Sequence, residues 1–110
     1  MRVGFSSAKL AQRCSTRTAQ VKEFGPQRAL KVKLRLDQLS AAGNLREFSA
    51  LPQAHCRQVD DRDKRFSADL DGTYRLIFEV ADEPVPHRKD GGIDLGAVKA
   101  VRVLEITDHH

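Results

Sequence analysis

Apolar positions change period once along this chain, near residue 55, and the change divides it into a helical half and a strand half. In "SAKLAQRCSTRTAQVKEF", Leu10, Cys14 and Val21 fall at i, i+4 and i+11, one stripe of a helix. Ser6 or Ser7 can cap its start. "GP" at 25–26 ends it, and Pro26 suits the first turn of the next helix. The segment 27–42 carries two apolar seams, Ala29, Val32, Leu36 and Leu39 on one side and Leu30 and Leu34 on another. Two seams predict two partners, the first helix and a sheet. Gly43 is a natural stop, "NLREF" (44–48) adds a helical turn, and "LPQ" reads as loop. Ahead of the helices, "RVGF" (2–5) is a short edge-type strand.

From about residue 55 the pattern is that of strands. "HCRQV" is a weak candidate, while "RFSADL" and "TYRLIFEV" flank "DG", a strong hairpin signal. A two-residue Asp-Gly turn would mix apolar and charged side chains on both faces. A three-residue loop, Leu70-Asp71-Gly72, with Gly72 left-handed as a bulge, puts Phe66, Ala68, Tyr74, Leu76 and Phe78 on one face. Ser67, Asp69, Thr73, Arg75, Ile77 and Glu79 then share the other. Register follows the buried pattern, so the bulged form is expected. "EPVPHRKDGGIDLGA" (83–97) predicts a long surface connection, and "VKAVRVLEI" (98–106) a final strand apolar enough to be central. The order predicts an α+β domain over residues 1–110: a two-helix hairpin packed on one face of a small, mainly antiparallel sheet. The sheet's other face, with Arg75, stays open to a ligand.

Length supports one core, and six aromatics without Trp predict an aliphatic one. No apolar run approaches the roughly 20 residues of a membrane helix. "MRVGFSSAKL" lacks the apolar stretch of about 7–15 residues found in signal peptides, so a cytoplasmic protein without membrane partners is expected. Cys14 and Cys56 suit reduced thiols used as small hydrophobes.

Net charge refines the picture. Residues 1–35 hold nine Lys or Arg and one acid, whereas the remainder has a balance of −4. That is a footprint for RNA, DNA or an acidic protein, and equally the pattern of a solvated helix face. Lys31 and Arg35, outside both seams of the second helix, are its candidate RNA contacts. Arg62, Lys64 and Arg65 cluster before the hairpin with Asp60, Asp61 and Asp63 interleaved, a moderate phosphate-binding signal. His87 reads as a solvated loop residue. No CxxC or HxxxH spacing joins His109, His110 and Cys56 into a zinc site, so neither metal nor cofactor is expected.

"EFGPQRALKVKLRLDQL", "FSADLDGTYRLIFE", "KDGGIDLGAVKAVRVLEI" and the ending "TDHH" together resemble the HigB-like killer toxins of the RelE/ParE superfamily. The resemblance runs from Phe24 to His110. It implies the RelE/ParE-like fold and a type II toxin that cleaves mRNA on the ribosome without a metal. It also implies partnership with a helix-turn-helix, HigA-like antitoxin, in a toxin–antitoxin hetero-oligomer. Such cleavage needs a base near the 2′-hydroxyl, positive charge for the phosphorane and an acid for the leaving oxygen. Carried over by residue, Arg75 matches the sheet arginine, and Asp108 and His110 the terminal acid and histidine. His109 stands where the family has Tyr, a departure. His55 is the candidate upstream histidine, with spacing that departs from the family's, and Arg62 matches the arginine of the family's "GDR", here "DDR". Two other readings stay open: a ParE-type gyrase inhibitor without nuclease activity, and an inactive antitoxin- or nucleic-acid-binding module.

Overall fold

The computed structural model describes residues 1–59 and 64–108. Arg62, His109 and His110, three of the candidate site residues, lie outside the described residues. Strand β1 (Arg2–Phe5) leads into helices α1 (Ala8–Arg13), α2 (Arg17–Phe24), α3 (Pro26–Ala41) and α4 (Leu45–Ser49). A 3-10 turn at Pro52–Ala54 follows, then β2 (Arg57–Gln58), β3 (Arg65–Asp71), β4 (Tyr74–Val80) and β5 (Ala100–Asp108). The five strands form one mixed sheet in the order β1-β5-β4-β3-β2. β1 lies parallel to β5, and the other neighbours are antiparallel. No described helix is long and apolar enough to cross a membrane.

The expected first helix is two. Ser7 caps α1 through the Leu10 N–H, and Thr16 caps α2 through the Ala19 N–H. A second capping side chain in mid-segment offers the backbone an exit from the helix, and the chain takes it between Cys14 and Thr16. Leu10 and Cys14 still face the core. Gly25, at φ +83°, ends α2 and lets α3 fold back beside it.

On α3, Ala29, Val32 and Leu39 are buried and Leu36 half-buried, as the first seam requires. The second seam is a correction. Leu30 and Leu34 are 53% and 41% exposed, because α2 and the sheet both pack on the opposite half of the helix. Arg35 is the larger correction. It is 3% exposed, so it is no surface RNA contact. Its guanidinium turns inward and donates to the carbonyls of Asp69 and Gln53 and the amide oxygen of Gln38. Burial lowers its pKa, and the nearby Asp69 opposes that shift.

The helices cover one sheet face over Phe66, Ala68, Leu76, Phe78, Val101 and Val103. Phe78 stacks on Phe66 at 5.8 Å between centroids and meets Phe48 edge-on at 5.9 Å. The face assignment of the β3–β4 hairpin agrees with the bulged expectation, but the turn sits one step later. Asp71 pairs with Tyr74 across a Gly72-Thr73 loop, and the irregularity falls between Asp69 and Asp71. Leu70 is thereby in the strand and buried. The 83–97 connection holds an isolated His87–Ile93 bridge, and buried Ile93 ties it to the core.

Candidate active site

Hairpin register fixes what the open face displays. Arg65 lies across from Glu79, Ser67 from Ile77 and Asp69 from Arg75, so these side chains leave the sheet on the side away from the helices. β2 adds Arg57 across from Ser67, and β5 adds Glu105 across from Ile77. Between them lies an open groove of about 460 Å³, lined by Arg57, Arg65, Arg75, Ser67, Ile77 and Glu105 among others. Among the described residues of its lining, three guanidiniums stand against the Glu105 carboxylate, a basic lining, with Asp69 and Glu79 beside it on the same face.

At its end, Asp69 joins two candidate residues that are 20 positions apart in sequence. One carboxylate oxygen accepts from Nη1 of Arg75, and the other lies 2.8 Å from Nδ1 of His55. Arg75 Nη1 also reaches Ser67 Oγ at 3.4 Å. Arg75 thus commits only Nη1 to these contacts, which leaves a fork edge for a planar anion. His55 owes its position to the 3-10 turn: its N–H donates to the Pro52 carbonyl, and its backbone adopts the left-handed region at φ 42°, ψ 48°. Its side chain is 67% exposed, so Nε2 can meet a ligand.

The other sequence candidates are placed differently. Asp108 pairs across Tyr74, so it leaves β5 on the helix-layer side, and its carboxylate accepts from the Thr73 hydroxyl. Thr107, not Asp108, faces Arg75. Asp108, matched by the resemblance to the family's terminal acid, therefore does not share the face of Arg75, because two-residue alternation puts its predecessor there. Lys64 approaches the Glu79 carboxylate at 3.9 Å, which Arg102 also engages at 2.7 Å. Lys31 is exposed on α3, across the sheet from the groove.

Two members of this arrangement escaped notice in the sequence. Alternation places Asp69 only on the same face as Arg75, and the use of its second oxygen by His55 depends on the turn before β2. Arg57 sits in a strand of two residues, too short for a periodic signal. Among the described residues no group of three or more His, Cys, Asp or Glu is arranged to hold a metal. Cys56 takes no part, its thiol lying half-buried beside Ser49. Against this geometry, no family model, no curated protein and no solved structure matches the chain.

Proposed function

We propose that this protein is a RelE/ParE-like toxin of the HigB-like kind, a ribosome-dependent mRNA endonuclease neutralised by a helix-turn-helix antitoxin in the cytoplasm. The supporting observation is the meeting of His55 and Arg75 on Asp69 at the end of a basic groove. Metal-free cleavage forms a bond from the RNA 2′-oxygen to the adjacent phosphorus and breaks the bond to the 5′-oxygen. His55 takes the 2′-hydroxyl proton through Nε2, and Arg75 sets its free fork edge on the phosphorane, whose added charge it stabilises. Arg57 and Arg65 hold flanking phosphates along the groove. In the resemblance, the terminal histidines, His109 or His110, supply the acid for the leaving oxygen.

Induced expression in a host lacking the antitoxin, with mRNA ends mapped by primer extension, tests the proposal. His55→Ala and Arg75→Ala should each lower cleavage by about 10²–10⁴-fold. Deleting His109 and His110 should do the same. Growth arrest with intact mRNA and lost DNA supercoiling would mark a gyrase inhibitor instead, and no arrest at all an inactive binding module.

A further inference from the structure

We infer that Asp69 is a positioning residue that locks His55 in the Nδ1–H tautomer, so that Nε2 carries the lone pair, while the same carboxylate tethers Arg75. What that lone pair does rests on the nuclease reading; the tautomer itself does not.

An ionised carboxylate only accepts hydrogen bonds. With Asp69 Oδ2 at 2.8 Å from His55 Nδ1, the proton of a neutral ring sits on Nδ1. A free imidazole prefers the opposite form, so the lock changes which nitrogen faces outward. A simple ion pair would need Asp69 to meet Arg75 alone; here each oxygen has its own partner.

The carboxylate is held from behind. The Asp69 main-chain carbonyl accepts from Nε of buried Arg35 at 2.7 Å, and the strand irregularity begins at this residue. Arg35 also binds the carbonyl of Gln53, within the turn that delivers His55. One guanidinium therefore registers both sides of the His55–Asp69 contact. The left-handed backbone of His55 points the same way. Such a conformation is costly for a non-glycine residue, and its neighbours must impose it. Among the described residues, the ring meets Asp69, whose carboxylate also binds Arg75 and whose carbonyl binds Arg35, and Cys56 and Arg57 follow it in the chain.

Two-bond 1H–15N correlation spectra of the full-length protein, at a pH where its imidazoles are neutral, read the tautomer directly. His55→Gln assigns the signal. The Nδ1–H form should dominate in the wild type and give way to Nε2–H in Asp69→Ala. Should that variant not fold, Asp69→Asn should show a loss of the Nδ1–H preference. An Nε2–H ring in the wild type overturns the inference whatever a cleavage assay shows. In the cleavage assay, Asp69→Ala should cost roughly 10²-fold, with His55→Ala adding little to it, as for groups acting as one unit. Additive losses would overturn the inference too. An Nδ1–H ring in a protein that cleaves no mRNA leaves the positioning standing and removes the nuclease reading instead.

Discussion

The Nε of Arg35 donates to the main-chain carbonyl of Asp69 at 2.7 Å, joining the middle of α3 to the irregular end of β3. A helix cation that the hydrophobic pattern assigns to the surface is in fact a core strut. Arg35→Leu leaves the carbonyls of Asp69 and Gln53 without this donor. Lost charge-assisted bonds and unsatisfied buried acceptors cost about 1–3 kcal/mol each, so a total of roughly 2–4 kcal/mol is expected. The urea midpoint should fall accordingly at an unchanged m-value. A change below about 0.5 kcal/mol would show that water replaces the guanidinium without loss.

Gly72 opens the hairpin loop at φ +58°. A Cβ there would meet nothing within 4 Å, so any penalty is that of the backbone alone. Gly72→Ala should cost about 1–2 kcal/mol, the usual penalty of a left-handed residue. Gly72→Asn should cost less, since Asn tolerates that region. Thermal melts of the two variants check the ranking, and equal melting points would mean that the loop adopts another turn.

Much of this fold was legible because local and buried patterns agree. β1 begins and ends as "RVGF" suggests, and α3 keeps the Ala29, Val32, Leu39 face. The hairpin sorts its side chains as alternation demands. What escaped depends on contacts distant in sequence. Nothing local says that β1 will lie parallel to β5, or that Arg35 will find three acceptors indoors. Leu30 and Leu34 look like a second seam, but among the described residues no element covers them. Of the site, Arg75 and its open face were readable. The approach of His55 was not, because a turn at Pro52–Ala54 and a left-handed residue create it.

The cysteines predict an alkaline instability. Burial raises the thiols of Cys14 and Cys56 from 9.0 to about 11, against a lowering effect of Arg13 on the first and of the Ser49 hydroxyl on the second. The unfolded chain loses these protons first. Their contribution is therefore whole below about pH 9 and declines as pH rises towards 11. The urea midpoint should fall over that range, and fall less in Cys14→Ala and Cys56→Ala than in the wild type. Near neutral pH both native thiols should alkylate slowly, since the thiolate is the reactive form. Rapid labelling of the folded protein would contradict the burial argument.

The groove and the helix layer offer two basic surfaces on opposite sides of the sheet, and salt dependence separates them. Each phosphate neutralised on a single strand contributes about 0.7 to the slope of log affinity against log salt. Arg57, Arg65 and Arg75 line the groove, whereas Lys31 lies on α3. Arg57 sits on the short outermost strand and is exposed, so Arg57→Ala should leave stability within about 0.5 kcal/mol of the wild type. With a 2′-O-methyl RNA oligonucleotide, which cannot supply the attacking hydroxyl, binding can be followed by fluorescence anisotropy across a KCl series. Arg57→Ala and Arg65→Ala should each flatten the slope by about 0.7, and Lys31→Ala should leave it unchanged. Removing Arg75 should flatten it similarly and also free Asp69, whose carboxylate would then repel the strand and weaken binding at every salt concentration. If Lys31→Ala flattens the slope while the three groove arginines do not, the RNA lies on the helix layer, and the groove loses its part in binding.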